Sequence, residues 1–330
     1  MRRLAGYVAL FIGVFLLVFG VLARVYMYPR LALAPIDQDT VTVSEAPGAT
    51  IFDRSQLKTR PAHLVARRTV IGDVRASERA GDNTAVWNVS VDIYEPGGNP
   101  IRTVSDRVAF DRVTSEARNC CDENIDGVRK VGDVPVRHEG IEYKFPFDTE
   151  KKTYRYFDTT LGRATDMRFV SQTKIQGLSV YQFEQVIPPT PVGPHIIGGT
   201  LNLPQSVLGR TGPDLPVVQH YANKRTVYVE PKTGVIVRGE EQQFSTYRDA
   251  AGTDVLTLTQ ANLAFNPATV KQQVETAKES RSSLRMIGTI LPIAGALLGL
   301  LLTLLGVFLI LSTAPAPRRA RARRDEPVSV

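Results

Sequence analysis

Cysteine and histidine are scarce in this chain of 330 residues, which has two cysteines and four histidines. The histidines lie far apart, and none occurs in a metal-binding spacing such as H-E-x-x-H. The chain also lacks the G-x-S-x-G motif of serine hydrolases and the phosphate-binding P-loop. We therefore expect no catalytic residue, no cofactor and no enzymatic activity.

Long basic runs are missing from the middle of the chain, although the formal net charge is +7. The positive charge is concentrated near the ends, at Arg2 and Arg3 and at five arginines between residues 318 and 324. Between them acidic and basic residues alternate, and this pattern does not provide the basic patch that nucleic acid requires. The sequence predicts no nucleic-acid partner.

Two long apolar stretches, residues 4–25 and 286–311, are each long enough to cross a membrane core of about 30 Å as a helix. Their flanking arginines predict a cytoplasmic location for residues 1–3 and for the basic tail 312–330. We interpret the first stretch as an uncleaved signal anchor, because it exceeds the usual length of a signal-peptide core. A cleavable signal peptide is the alternative. The expected protein spans the inner membrane twice, and its main domain is extracytoplasmic.

The middle of the chain shows the two-residue periodicity of β-strands. Residues 85–93 alternate apolar and mainly polar side chains, and turn residues such as those at 95–100 separate several runs of this kind. The pattern predicts a mainly β (α+β) fold, with a large, curved, antiparallel β-sheet over residues 26–266. Asn266 and Pro267 are typical of a helix start and predict a juxtamembrane stalk helix over residues 267–285.

Residues 187–216 contain seven prolines and five glycines but keep many apolar side chains. We interpret this segment as a lid or membrane-facing flap over a ligand groove, and a loop packed on the sheet is the alternative. Aromatic strand residues could line such a groove or simply fill the core. The candidate ligand-binding residues are Trp87, Tyr143, Phe145, Phe147, Tyr181, Phe183, Ile196, Ile197, Leu201 and Leu203.

The cysteines, Cys120 and Cys121, are adjacent and have no other partner in the chain, so in an oxidising compartment we expect a vicinal disulfide, with two free thiols as the alternative. The residues that follow match the outline of a calcium loop, but Lys130 occupies a usual ligand position, and we prefer a polar turn. The candidate metal ligands of this loop are Asp122, Asn124, Asp126 and Asp133.

The run at 140–158 contains Lys-Phe-Pro-Phe-Asp at 144–148 and Tyr-Arg-Tyr-Phe-Asp at 154–158. Together with the apolar stretch at each end, it resembles the actinobacterial PorA-type family, whose shared region is a domain of unknown function. The resemblance covers essentially the whole chain. It implies a role in building a mycolate-rich envelope, through lipoglycan maturation or traffic of mycolate glycolipids, and it supplies no catalytic residues.

These observations lead to a functional hypothesis of a non-catalytic envelope-biogenesis protein that binds a membrane lipid or glycolipid. Its expected partner is a membrane transporter or a glycosyltransferase of envelope assembly. The alternative is a membrane-anchored interaction scaffold without a ligand. We rank a porin or an enzyme lower, because a barrel-type porin needs many membrane-spanning strands and this chain has two apolar helices.

Overall fold

A computed structural model describes residues 1–81, 83–196 and 198–312 of the chain. The basic tail predicted at 312–330 therefore lies outside the described residues except for its first position. The chain divides into two compact units, one made of Met1–Leu31 with Ser283–Val330 and the other of Ala32–Ser282. We refer to them as the helical unit and the β-rich unit.

The helical unit contains the two long apolar stretches that were identified in the sequence. Helical segments long and apolar enough to span a membrane cover Arg2–Leu31 and Pro267–Ser312. Among the described residues the α-helices are α1 (Arg2–Leu22), α2 (Tyr28–Leu31), α3 (Val74–Ala80), α4 (Pro267–Arg285) and α5 (Leu291–Ser312), with π-helical turns at Ala23–Met27 and Met286–Ile290 and a 3-10 turn at Gln205–Leu208.

Glycines bring α1 and α5 into backbone contact. Gly6, Gly13 and Gly20 of α1 are buried, as are three glycines of α5. A Cβ atom at Gly13 would lie 2.8 Å from the carbonyl oxygen of Gly299, and one at Gly306 would lie 2.7 Å from that of Gly6. Small residues allow membrane helices this close approach, which maximises van der Waals contact where no hydrophobic effect drives association. The large side chains of both helices point outwards instead.

The β-rich unit, as far as the structure describes it, contains fourteen strands, most of them long. They are β1 (Asp39–Asp53), β2 (Lys58–Gly72), β3 (Thr84–Tyr94), β4 (Pro100–Asp111), β5 (Asn124–Ile125), β6 (Lys130–Val131), β7 (Val134–Pro135), β8 (Tyr154–Asp158), β9 (Arg163–Ile175), β10 (Leu178–Pro191), β11 (Thr200–Leu203), β12 (Leu215–Glu230), β13 (Val235–Arg248) and β14 (Asp254–Phe265).

Eleven strands form one antiparallel sheet that curves into a half-barrel, in the order β5-β4-β3-β2-β1-β14-β13-β12-β10-β9-β8. Strand β11 adds to β12, and β6 pairs with β7 in a separate ribbon. The pairing of β1 with β14 joins the meander formed early in the chain to the one formed late. The prediction of a mainly β fold, with a curved antiparallel sheet and an apolar helix at each end, is confirmed.

Helix α4 has the bounds that the sequence predicted for a stalk helix, and within the β-rich unit it packs on the sheet. The Asn266 side-chain oxygen accepts a hydrogen bond from the backbone N–H of Thr269 at 2.9 Å, which caps the first turn. Val274 and Ala277 are buried in a cluster with Val180 of β10 and other strand residues. Apolar burial therefore fixes this helix, in addition to its cap.

Candidate functional site

A cleft lined by both apolar and charged side chains opens in the β-rich unit. It encloses about 930 Å³, including space open to solvent. Strands β2, β3, β12, β13 and β14 contribute to its wall, together with the chain around Tyr143. The ionisable side chains other than tyrosine that line it are Arg68, Asp106, Glu142, Arg225, Glu240 and Glu241.

Arg225 of β12, on one side of the cleft, forms ion pairs with two carboxylates. Its guanidinium donates to Asp158 Oδ2 at 3.0 Å, and its Nε lies 3.2 Å from Glu241 Oε1. A further hydrogen bond of 2.5 Å reaches the side-chain oxygen of Gln185. Burial would raise the pKa of Glu241, but the charges of Arg225 and Arg68 outweigh it and lower this pKa to about 2. Glu241 is therefore ionised at neutral pH.

A second cluster surrounds the buried imidazole of His138, in the connection between β7 and β8. His138 Nε2 lies 2.8 Å from Asp106 Oδ1, and Nδ1 lies 3.1 Å from Glu123 Oε2. The hydroxyl of Tyr143 donates to Asp106 Oδ2 at 2.7 Å. Desolvation would lower the pKa of His138, but hydrogen bonds to Asp106 and Glu123 raise it to about 10.

Glu142 completes this cluster. Its carboxylate oxygen Oε2 lies 3.9 Å from His138 Nε2 and is buried, and within the described parts of the chain it has no hydrogen-bond partner. Burial and the nearby charge of Asp106 raise the pKa of Glu142 well above its usual value. The cleft wall thus contains carboxylates in two electrostatic environments, one beside arginine and one beside other acidic groups.

Most of the predicted aromatic residues lie in the core, and of these six only Tyr143 lines the cleft. Trp87 is buried against Phe110, with ring centroids 4.7 Å apart. The structure brings together Phe145 and Phe183, with ring centroids 4.8 Å apart, and Tyr181 packs on the same cluster. Phe147 lies half-buried, with the ammonium nitrogen of Lys144 3.9 Å from its ring centroid.

The segment predicted as a flap is partly built into the sheet. Strand β10 extends to Pro191, and β11 pairs with β12. Leu203 is buried beside Val217 and Tyr247, and Leu201 packs against the same cluster. Ile196 is half-buried, and Ile197 lies outside the described residues. The described apolar side chains of this segment are therefore covered by their own sheet.

The structure joins Cys120 and Cys121 in a vicinal disulfide, and both half-cystines pack against the cluster of Ala76, Val86 and Ala109. The presence of this bridge in the isolated protein stays a prediction.

The side-chain oxygens of the predicted calcium-loop residues have local partners. Asp122 pairs with Arg129 at 3.1 Å, and Asp126 Oδ1 accepts from the backbone of Ser105 at 2.7 Å. The Asn124 side-chain oxygen accepts a hydrogen bond from the backbone N–H of Gly127 at 3.1 Å. Asp133 is exposed. The oxygens engaged in this way stabilise a turn.

Sequence reasoning missed the polar residues that line the cleft. Along β12 every second residue from Val217 to Val227 faces the same way, and this set includes Arg225, which lines the cleft. Polar residues at inward-facing positions of an apolar strand were the available signal, because burying them requires a partner. His138 and Glu142 gave no such signal, since they lie in the connection between β7 and β8 and not on a strand with a two-residue pattern.

Comparison with known proteins identifies the family. The family model described as Porin PorA matches residues 5–308 of the chain. A protein named Porin PorA from Corynebacterium amycolatum is 27% identical, with 93% of this chain and 98% of the relative aligned. A second Porin PorA, from Corynebacterium resistens, is 23% identical over 98% of this chain and 100% of that protein.

These relatives correct our functional hypothesis. They are named porins, and nothing in the described part of the chain indicates lipid binding, so the interpretation as a non-porin protein of glycolipid or lipoglycan metabolism is wrong. Our argument against a porin excluded only a transmembrane barrel and did not consider pores of other construction.

The two apolar helices and the porin relatives show a membrane protein. Since the family model covers nearly the whole chain, the protein belongs to the PorA family.

Proposed function

We propose that this protein forms a pore for small hydrophilic solutes, and that it acts without catalysis. The observation that carries the proposal is the match of residues 5–308 to the Porin PorA family, together with relatives that bear the same name. Because the similarity includes both apolar helices and the β-rich unit, we assign the proposed activity to the whole chain and not to one part of it.

The helical unit limits how such a pore is built. At Gly13 and Gly299 the helices α1 and α5 are in backbone contact, which leaves no room between them for water. Their outward side chains are mainly large and apolar, as contact with lipid requires. A pore built from these helices therefore needs several copies of the chain arranged around a common axis.

The charged cleft of the β-rich unit supplies a surface on which hydrated ions can lie. Of its six ionisable lining groups other than tyrosine, Arg68 and Arg225 are basic. The acidic groups outnumber them even without Glu142, whose pKa is raised. Rings of acidic side chains favour cations in channels of known selectivity. We therefore propose that solutes pass along this cleft and that the pore prefers cations.

We further propose that the protein spans the inner membrane twice, with residues 1–3 and 312–330 in the cytoplasm. Arginines at both ends support this orientation. A single cysteine placed at the turn residue Gly97 should react with a membrane-impermeant maleimide in intact cells, and one placed at Ala320 should react only after lysis. The reverse labelling would refute this orientation. The predicted partners, a transporter or a glycosyltransferase, stay predictions.

Recording from planar lipid bilayers tests the pore directly. The purified full-length protein should produce discrete conductance steps in potassium chloride, and their frequency should rise with the amount of protein added. A mock preparation from cells that lack the gene should remain silent. Steps of equal frequency in both preparations would contradict a pore-forming function. An absence of steps, from protein that is shown to insert fully into liposomes, would contradict it as well.

A further inference from the structure

Three side chains of the β-rich unit bring metal-ligand atoms within 4.8 Å of one another. They are Asp106 of β4 and, from the connection between β7 and β8, His138 and Glu142. We propose that these three residues form a binding site for a divalent transition-metal ion, with Zn²⁺ the best match. The proposal concerns metal binding alone and does not depend on pore formation.

The ligand atoms are held in place by a surrounding shell of hydrogen bonds. His138 Nδ1 lies 3.1 Å from Glu123 Oε2, and an N–H donated there would leave Nε2, once an incoming metal ion displaces its proton, directed at Asp106 and Glu142. Glu123 is itself fixed, because its Oε1 accepts from the backbone N–H of Ala109 at 3.0 Å. A carboxylate that orients a ligating imidazole in this way is a common feature of zinc sites.

Glu142 provides an independent reason to expect a cation. Its side chain is only 9% exposed, and its buried Oε2 atom has no hydrogen-bond partner in the described part of the chain. A buried polar atom without a partner is costly and calls for an explanation such as a bound ion. A metal ion beside His138 Nε2 would satisfy this oxygen.

The distances suit a small cation after minor side-chain movement. Zinc bonds to nitrogen and oxygen ligands of about 2.0–2.2 Å place tetrahedral ligand atoms roughly 3.3 Å apart. His138 Nε2 lies 2.8 Å from Asp106 Oδ1 and 3.9 Å from Glu142 Oε2, so the observed spacings lie on either side of that value. Two carboxylates balance the charge of a divalent ion.

The donor set and its position indicate the class of metal. One imidazole nitrogen with two carboxylate oxygens suits zinc and related transition metals, whereas Mg²⁺ and Ca²⁺ favour oxygen ligands alone. Asp106 and Glu142 both line the open cleft, so a fourth ligand position can face solvent and take a water molecule. The site would then place a cation in the cleft wall.

Metal content measures this binding without reference to activity. The full-length protein, purified in detergent without a histidine tag and stripped with chelator, is equilibrated with Zn²⁺ and analysed by mass spectrometry for metals. We expect one zinc per chain, no displacement by excess Mg²⁺, and at least a tenfold weaker affinity in the near-isosteric variant Glu142→Gln. The matched control His63→Gln, at a half-exposed histidine, should bind as the wild type does.

X-ray absorption at the zinc edge on the wild-type protein provides a second test that needs no variant. It should show one imidazole and otherwise oxygen ligands at about 2.0 Å, without sulfur. A zinc content far below one per chain would overturn the proposal. Sulfur ligation, or a Glu142→Gln variant that binds zinc as tightly as the wild type, would overturn it equally.

Discussion

Replacing Arg225 by Met should destabilise the β-rich unit strongly. The Arg225 side chain is 12% exposed and pairs with Asp158, which is 1% exposed, and with Glu241. Methionine fills a similar volume but offers no hydrogen-bond donor, so both carboxylates would stay in the protein interior without their cation. Removing one partner of a buried pair is far more damaging than replacing the whole pair with apolar residues.

The size of the effect follows from this geometry. Leaving buried charges without a partner typically costs about 3–5 kcal/mol in the free energy of unfolding. For a unit of this size each kcal/mol corresponds to about 2–4 °C in the melting temperature, so we expect a decrease of about 6–20 °C. Lys224 is the adjacent residue on the same strand, and its ion pair with Glu184 is partly exposed. Lys224→Met should cost about 1 kcal/mol or less.

The single tryptophan of the chain gives a specific readout, because Trp87 is buried in the β-rich unit. Its fluorescence, followed during heating of the purified protein, reports unfolding of that unit. A melting temperature for Arg225→Met within 2–4 °C of the Lys224→Met value, roughly the equivalent of one kcal/mol, would refute the assignment of a buried charge network.

The same network predicts a dependence of stability on pH. The pKa of Glu241 is 4.5 in its ordinary state and about 2 in the folded protein, because Arg225 and Arg68 overcome the opposing effect of burial. Between these values the unfolded chain binds more protons than the folded one, so stability falls as the pH falls. The contribution is complete above pH 4.5 and is lost towards pH 2. The difference in the free energy of unfolding between the wild type and Arg225→Met should therefore shrink as the pH falls through that range.

Two further predictions concern the bridge and the helices. A non-reduced digest should yield the peptide with Cys120 and Cys121 two hydrogens lighter than the dithiol, and complete alkylation without a reductant would show the bridge to be absent. Gly13→Leu should lower the melting temperature by several degrees, since its Cβ would lie 2.8 Å from the carbonyl oxygen of Gly299 and overpacking costs about 1–3 kcal/mol. Val14→Leu, at the next and exposed position, should leave the melting temperature unchanged.

Local patterns in the sequence predicted the regular elements well. The alternation at 85–93 corresponds to β3, and the Asn266 cap precedes α4. The segment 187–216 is more regular than its prolines suggested. Proline cannot donate a hydrogen bond to a neighbouring strand, but β10 accommodates Pro188 and Pro189 where its pairing with β12 shifts register, between Ile187 and Thr190.

The cleft could not be predicted in the same way, because it depends on which strands and connections meet. Asp106 and His138 lie on different segments, and the sheet order that brings them together is not encoded by any short motif. Arg225 occupies an inward-facing position in the two-residue pattern of β12, but that pattern does not specify which carboxylates its guanidinium meets. For the aromatic residues the sequence left two interpretations open, and Phe145 and Phe183 lie in the core.

The reversal potential of single channels in a potassium chloride gradient tests the central claim most directly. Because acidic groups outnumber arginines in the cleft, the wild-type pore should prefer potassium over chloride. The variant Glu240→Lys, which changes a charge on the cleft wall, should move the reversal potential towards anion preference without abolishing the conductance steps. The absence of steps, or a reversal potential unchanged by Glu240→Lys, would contradict solute passage along this cleft.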